Sequence, residues 1–385
     1  MARQCNRLHS SEPKTKYSNL IFEYFCSKCN EAYFCLRKIM TRLLTYYEIN
    51  PLAWQKLVDE SPYATWFQTQ EAYQFYAANK QEMTPFACGL ERDGELRTVC
   101  VGYVTKEHCR IKQFYTRRAI IIGGPLIANS ANEDDIARML YAIQEPSRLI
   151  AQSPYRPTWR NLPIYIETRN FHDYSKWKDV FEACGFAYQP HLNIQVVCDA
   201  VHTMSEQRRR QVKKAIGNGA TICEAQSEQE IRDWYRILQQ LYREKVRTPL
   251  FTEEFFLEFY RKGWGKYLLV KHTGKVIGGM ICPILEGRAI YEWYVCGLDE
   301  DYREQYPSVM ATYAAIEYAK DNGLPLFDFM GAGKPDANYG VRDFKKEFGG
   351  EVVEHGRFLC IRKPLLYAIG KLGVKLLKQG INLVK

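Results

Sequence analysis

The sequence lacks the motifs by which covalent and metal-dependent enzymes are most readily recognised. It contains no nucleophilic elbow, no His-Glu-x-x-His zinc motif and no complete Walker loop. The nearest approach to a Walker loop is Gly333-Lys334, but Pro335 follows it and the upstream glycine is missing. These absences argue against a covalent enzyme and against a metalloenzyme, so no metal ligands are expected.

Long hydrophobic runs are also missing. No apolar stretch approaches the length that spans a bilayer, and the first residues do not have the layout of a signal peptide. The 13 cysteines are scattered over the main body with little pattern, which is typical of reduced thiols in the cytosol. The sequence therefore predicts a cytoplasmic protein.

What the chain does have is the composition of a folded and mildly basic protein. Hydrophobic residues make up 46% and charged residues 25% of its 385 positions, which is enough for two domains with separate cores. The formal net charge is +9. This charge favours anionic partners such as tRNA, nucleotide-linked substrates or acidic lipid.

The N-terminal segment differs from the rest of the chain. Cys5, Cys26, Cys29 and Cys35 include a Cys-x-x-Cys pair that could belong to a zinc knuckle, but no second pair or histidine spacing completes the ligand set. A regular globular pattern begins at Met40. We therefore interpret residues 1–39 as a disordered extension or as the product of a start codon assigned too early.

The hydrophobic pattern after Met40 predicts the same order of elements twice. In the first half we expect strands at 41–47, 65–69, 85–90, 97–105, 119–122 and 163–169 and helices at 133–152 and 174–184. In the second half we expect helices at 206–217, 227–245, 252–261 and 308–322 and strands at 266–272, 276–285, 288–295 and 326–330. This recurrence indicates two related α/β units.

The segment 327–350 holds the densest group of candidate functional residues. An apolar strand ends at Asp328, and Gly331 and Gly333 then interrupt the chain. The cations and aromatic residues that follow are Arg342, Phe344, Lys345, Lys346 and Phe348. A strand edge, a glycine opening and a fixed pair of cations would suit an anionic substrate. The alternative is a strand, a loop and a solvated helix.

The run from Ala289 to Ser308, followed by a helix and Phe327-Asp-Phe, resembles the core of a GNAT acyltransferase. In that fold an Arg-x-x-Gly-x-Gly loop at a helix N-terminus binds the pyrophosphate of coenzyme A through backbone N–H groups. Here both glycines after Arg303 are replaced, and Tyr306 and Pro307 fill their place. Pro307 also removes one donor. We therefore expect that the coenzyme A site is lost and that no cofactor is used.

The sequence resembles the Fem family in three features: two GNAT-like units, an Asp-Phe-x-Gly motif and a Phe-Lys-x-x-Phe-Gly motif. Members of that family move amino acids from aminoacyl-tRNA to a peptidoglycan precursor. The match runs from about Met40 to the C-terminus and looks closest to a bacterial branch without a helical arm. It implies an α/β fold of two tandem GNAT-like units, with mixed sheets flanked by helices. The implied units are 40–188, with 357–385 as a candidate completing segment, and 189–356.

The same resemblance implies roles for three residues. Lys345 matches a lysine that contacts substrate phosphate or the carbonyl of the transferred ester, and Arg247 matches an arginine that binds a pyrophosphate. Tyr294 lies where a substrate-binding tyrosine is expected. The chain departs from the family pattern at Phe251, where a tyrosine is expected, and in the helix after Gln68, where tyrosines replace an expected lysine. The acceptor could therefore be a different anionic glycan or peptide precursor.

Four further residues are candidates for the site. Glu292 and Asp328 are expected on neighbouring strands and could collect the proton of an attacking amine. They could equally be polar residues at the point where the strands diverge, with the acceptor relaying its own proton. Arg342 and Tyr339 are candidate substrate-binding residues, although Arg342 could instead pair with Asp343 or Glu347.

Two basic segments are candidate contact surfaces. Arg208, Arg209, Arg210, Lys213 and Lys214 form a basic block that could meet a tRNA acceptor stem or simply face solvent. Residues 364–385 form a basic amphipathic helix without acidic residues. It could contact the inner face of the membrane, or it could pack on the first unit.

These observations favour an aminoacyltransferase whose partners are aminoacyl-tRNA and an anionic cell-wall precursor, nucleotide- or lipid-linked. An N-acyltransferase that uses acyl-coenzyme A or an acyl carrier is the alternative. A third possibility is a precursor-binding protein that has lost transfer activity.

Overall fold

The computed structural model describes residues 41–106, 114–145, 162–198, 204–337 and 339–382. The N-terminal cysteine cluster and the expected extension at 1–39 lie outside these residues. Within the described ranges, no helix combines the length and the apolar character needed to cross a membrane.

The first sheet has eight strands. Their spatial order is β1 (Thr41–Thr45), β2 (Met83–Arg92), β3 (Glu95–Thr105), β4 (Arg118–Gly123), β6 (Tyr165–Asn170), β16 (Arg357–Ile361) and β7 (Ala187–Gln189), and β5 (Leu126–Ile127) pairs with β3. The strands are antiparallel except for β4 and β6, which are parallel. The helices of this unit are α1 (Pro51–Glu60), α2 (Gln70–Ala78), α3 (Glu133–Gln144) and α4 (Lys178–Ala183).

The prediction of a strand at 65–69 is wrong, because Trp66–Gln68 form a buried 3₁₀ helix. The aromatic and β-branched residues of this stretch favour a strand. However, the Thr65 backbone N–H and hydroxyl donate to the Gln68 side chain at 2.7 and 2.6 Å, and Gln68 Nε2 donates to the Gly124 carbonyl. The local capping bonds therefore override the strand propensity.

The second sheet also has eight strands. Their order is β15 (Glu351–Val353), β8 (Asn193–Val197), β14 (Leu326–Asp328), β12 (Ala289–Tyr291), β11 (Lys275–Leu285), β10 (Gly265–His272) and β9 (Ala220–Glu224), and β13 (Tyr294–Gly297) pairs with β11. The helices of this unit are α5 (Glu206–Gly217), α6 (Glu228–Leu241), α7 (Glu253–Lys262), α8 (Pro307–Asp321) and α9 (Gly340–Lys346), and α10 (Pro364–Asn382) ends the described chain.

Each sheet contains one strand from a distant part of the chain. Strand β16, near the C-terminus, lies between β6 and β7 in the first sheet. Strand β8, which follows β7 directly in sequence, lies between β14 and β15 in the second sheet. The two units are therefore joined by β16, which returns to the first sheet after the whole second unit, as well as by packing.

The largest hydrophobic cluster spans both units. Phe75 of α2 is fully buried and lies edge-on to Phe255 and Phe259 of α7 and to Trp293, with ring centroids 4.7 to 5.5 Å apart. Edge-to-face aromatic pairs at these distances stabilise a core beyond the area that they bury. This cluster fixes the orientation of the two sheets around the strand break described below.

Candidate active site

The site forms where β12 and β13 separate. The sequence predicts one continuous strand at 288–295, but the strand is interrupted at Glu292 and Trp293. The Glu292 backbone N–H donates to the Asp328 carbonyl at 2.9 Å, and that of Trp293 donates to the Ile281 carbonyl at 3.1 Å. Because Tyr291 is paired with Asp328 across parallel strands, the interruption brings Glu292 and Asp328 to one edge of the sheet.

Lys345 of α9 is buried beside this interruption, with an exposed fraction of only 8%. Its Nζ lies 2.8 Å from Glu292 Oε1 and donates to the backbone carbonyls of Phe329 and Gly331, both at 2.9 Å. These three acceptors match the three donors of an ammonium group. The alternative of a solvated lysine is therefore wrong, and Lys345 joins the strand break to the glycine-rich turn.

The two carboxylates of the site have different surroundings. Burial raises the pKa of Glu292, and the facing Lys345 ammonium opposes that rise. Burial also raises the pKa of Asp328, which accepts hydrogen bonds from Asn193 Nδ2 at 2.8 Å, Gln195 Nε2 at 2.9 Å and the Met330 backbone N–H at 2.6 Å. Asp328 is thus held by three donors, whereas Oε2 of Glu292 accepts no hydrogen bond from a described residue.

Arg342 braces the turn that covers the site. Its Nε donates to the Ala332 carbonyl at 2.8 Å and its Nη1 to the Pro335 carbonyl at 3.2 Å, and Nη2 donates to the Lys334 carbonyl. Within the described ranges it forms no ion pair with Asp343 or Glu347, contrary to one expectation from the sequence. Its contacts fix the shape of the turn.

The three other candidates, Tyr339, Tyr294 and Arg247, make no hydrogen bond or ion pair with Lys345 among the described residues. Tyr339 is partly exposed and packs against the turn, since a β-carbon on Gly333 would lie 3.0 Å from its ring. Tyr294 begins β13, and burial raises its pKa well above the ordinary value. Arg247 is exposed and ends the π-helical turn Tyr242–Val246 with a left-handed φ of 55°. In the described ranges no hydrogen bond or ion pair joins Arg247 to Lys345.

The helix end that binds coenzyme A in the GNAT fold lacks free N–H donors at its first two positions in this chain. Tyr306 has a left-handed φ of 44°, and Pro307 begins α8 without an N–H donor. The next donor, the Ser308 backbone N–H, is bonded to Asp299 Oδ1 at 3.0 Å, and the Ser308 hydroxyl donates to Oδ2. The sequence interpretation missed Asp299, a carboxylate that occupies the favourable end of the helix dipole.

The five residues of the basic block on α5 fall into two groups, those that form ion pairs within the protein and those that line a groove. Arg208 is buried; it forms an ion pair with Glu347 at 2.9 Å and stacks on the ring of Phe344, 4.4 Å from its centroid. Arg210 pairs with Glu206, and Lys214 pairs with Glu304. Arg209 and Lys213 instead line a groove whose other residues are Met204, Val212, Ile216, Tyr313 and Glu317.

Other functional residues of the site come from β8 and have no local signal in the sequence. Asn193 and Gln195 hold Asp328, and they do so because β8 pairs with β14, more than 120 residues further along the chain. Within the described ranges, no group of three or more His, Cys, Asp or Glu side chains could hold a metal ion.

Comparisons with known proteins agree with this architecture. Residues 204–346 match the family model of the acetyltransferase (GNAT) domain. The crystal structure of FemX superimposes with a TM-score of 0.62 at 14% identity, over 85% of this chain and 99% of the FemX chain. The chain therefore shares the fold of FemX. The predicted fold class of two tandem GNAT-like units is thereby confirmed.

A second structure of similar fold is that of L-PGS from Bacillus licheniformis. It superimposes with a TM-score of 0.52 at 12% identity, over 86% of this chain and 97% of that chain. No curated protein sequence matches the chain. The GNAT domain match and the shared fold support a transferase of acyl groups.

Proposed function

We propose that this protein is an aminoacyltransferase that moves an amino acid from aminoacyl-tRNA to an amine of a peptidoglycan-type precursor. The observation that carries the proposal is the buried pair of Lys345 and Glu292, 2.8 Å apart, at the strand break of a GNAT domain. An aminoacyl ester is already activated. The enzyme has to orient two reactants, accept one proton and stabilise an oxyanion, and this pair can supply the last two functions.

In the proposed reaction the acceptor amine attacks the ester carbonyl carbon. A C–N bond forms and the C–O bond to the ribose breaks. The amine proton passes to Glu292 and then to the departing ribose oxygen. We assign this role to Glu292 because Asp328 is already held by three donors. Lys345 favours the ionised form of Glu292 against the effect of burial, and it stabilises the oxyanion by exchanging one of its two carbonyl acceptors for the oxyanion.

The closed end of α8 supports tRNA, not coenzyme A, as the source of the transferred group. A pyrophosphate placed there would meet the Asp299 carboxylate, and the Ser308 N–H that should receive it is already bonded to that carboxylate. Arg209 and Lys213, the two cations of the basic block that line the groove on α5, are proposed contacts for the tRNA acceptor stem.

An N-acyltransferase that uses acyl-coenzyme A or an acyl carrier remains the second candidate, because the matching family model describes an acetyltransferase domain. We expect label from radioactive aminoacyl-tRNA to appear on a muropeptide precursor and label from acetyl-coenzyme A to stay unreacted. The opposite result would replace the first candidate with the second. Binding of the precursor without transfer of either label would indicate a precursor-binding protein.

We also propose that α10 contacts the inner face of an anionic membrane. Leu365, Ile369 and Leu372 share one face of the helix, and their exposed fractions are 82%, 53% and 58%. The segment 364–385 carries lysines and no acidic residue. Tyr367 packs on Tyr165 of the first unit, with ring centroids 5.5 Å apart, so a different face of the helix makes the internal contact.

The membrane contact can be measured by vesicle sedimentation. We expect the protein to sediment with phosphatidylglycerol vesicles and to stay in solution with phosphatidylcholine vesicles, since binding combines apolar burial with attraction to anionic lipid. Leu365→Glu combined with Ile369→Glu should abolish sedimentation. The control is Leu52→Glu on α1, where the leucine is 81% exposed. Equal sedimentation of wild type and double variant would refute this contact.

A further inference from the structure

Strand β6 presents charged side chains on one face in the middle of the first sheet. Tyr165, Glu167 and Arg169 are half-buried, and they alternate with buried residues that belong to the opposite face. The Arg169 side chain keeps 33% of its surface accessible. A charged and accessible face at the centre of a sheet needs a compensating partner or a ligand.

The charges on this face do not balance. Arg357 of β16 lies directly opposite Arg169 in the antiparallel register, an arrangement in which like charges destabilise a sheet. Among the described residues, a single carboxylate is paired with both guanidinium groups. Glu167 Oε2 lies 3.0 Å from Arg169 Nε, and Oε1 lies 3.0 Å from Arg357 Nη1. Two cations therefore share one anion.

The neighbouring histidine does not change the balance of charges on this face. His191 Nε2 lies 2.9 Å from Arg357 Nη2 and accepts its hydrogen bond. Burial, followed by the Arg357 charge, lowers the pKa of His191 to about 4, so the ring is neutral near pH 7. The terminal nitrogens of Arg169 donate to no described residue, which leaves a guanidinium edge directed away from Glu167.

Three tyrosines are affected by the charge of Arg169. Burial raises the pKa values of Tyr76 and Tyr103 from the first unit and of Tyr294 from the second, and the Arg169 charge opposes each rise. The Tyr76 and Tyr103 rings are 4.8 Å apart. An accessible guanidinium edge that donates to no described residue suits a ligand that accepts hydrogen bonds.

This cluster is connected to the site of transfer. A β-carbon built on Gly331 would lie 3.7 Å from His191 Nε2, and the Gly331 carbonyl accepts a hydrogen bond from Lys345. A group bound at Arg169 would therefore be linked to the glycine-rich turn through His191.

We propose that Arg169, assisted by Arg357, binds an anionic group of the acceptor, either a carboxylate or a phosphate. The identity of the acceptor rests on the proposed transferase function, but the anion site does not. An anion restores the charge balance of the two guanidinium groups, and a guanidinium edge forms paired hydrogen bonds with either group.

The test measures binding by calorimetry with two probes, inorganic pyrophosphate and the dipeptide alanylalanine. Arg169→Gln leaves a balanced pair of Glu167 and Arg357, so binding should weaken by about tenfold or more. Glu167→Gln removes the competing carboxylate and should tighten binding by a similar factor. The matched control is Arg138→Gln, which removes an arginine paired with Asp134 on α3 and should leave binding unchanged.

The two probes distinguish the two anions. Arg169-dependent binding of pyrophosphate alone assigns a phosphate, and such binding of the dipeptide alone assigns a carboxylate. Failure of the wild type to bind either probe, or affinities that stay unchanged in both Arg169→Gln and Glu167→Gln, would overturn the proposal. If Arg169→Gln lowers the melting temperature, Arg169→Lys serves as a second variant. It keeps the positive charge but loses the paired N–H donors of the guanidinium group, so it should also bind the probe more weakly. These binding measurements use no tRNA. A negative result in the transfer assay would therefore not affect the conclusion about the anion site.

Discussion

Replacing Lys345 with alanine is expected to abolish transfer and to destabilise the protein at the same time. The substitution leaves the Glu292 carboxylate buried without its counter-ion and two backbone carbonyls without their donor. Breaking a buried ion pair in this way costs about 3–5 kcal/mol of the free energy of unfolding. The pKa of Glu292 would rise further, and a protonated Glu292 cannot accept the amine proton. We expect turnover to fall by roughly 10²- to 10⁴-fold.

Two variants separate the chemical effect from the structural one. Lys346→Ala removes the exposed neighbour of Lys345 on the same helix and should change neither stability nor turnover. Lys345→Met combined with Glu292→Gln removes both charges, so it should recover most of the lost stability and stay inactive. Transfer at the wild-type rate in Lys345→Ala would remove this lysine from the site, whatever its effect on melting.

Ending the chain after Gly356 is expected to prevent the first unit from folding. This deletion removes β16, whose Phe358 is buried and stacks on Phe181 with ring centroids 4.1 Å apart. The loss of β16 exposes the edge of β6 and leaves β7 without a partner strand. A domain is normally stable by only about 5–15 kcal/mol. We therefore expect that the loss of a whole strand and its buried phenylalanine unfolds the unit. Soluble yield and circular dichroism melting would report it.

A shorter deletion provides the control. Ending the chain after Lys363 keeps β16 and removes α10, so the truncated protein should fold and transfer but should no longer sediment with anionic vesicles. If the chain that ends at Gly356 melts cooperatively near the wild-type temperature, β16 is not required for the first unit.

The recurrence of the two units could be predicted because each helix and strand has its own periodic pattern. The helix over Glu206–Gly217 and the strand over Lys275–Leu285 were expected within a residue of their observed bounds. Residues 357–385 were considered as a segment that completes the first unit, but β8 and β16 were not predicted as strands, because each is five residues long and its partners lie in distant parts of the chain. Short strands of this kind are specified by tertiary packing and carry little local signal.

The same limit applies to the candidate site. Gly331, Lys345 and Asp328 share one segment of sequence, so their proximity was expected. The burial of Lys345 depends on the strand break at Glu292, and the closure of the α8 terminus depends on Asp299. Neither could be read from the residues themselves. Local spacing predicts which groups share a loop, whereas their ionisation and hydrogen-bond partners depend on contacts across the sheet.

The return of β16 to the first sheet sets the order in which the two sheets can be completed during translation. The ribosome makes β1 to β7 first, but the strand that lies between β6 and β7 is made only after the second unit. The second sheet has all its strands once Val353 has been synthesised, because β8 precedes its partners in the chain. The first sheet, although begun earlier, therefore keeps unpaired strand edges on β6 and β7 until β16 has left the ribosome.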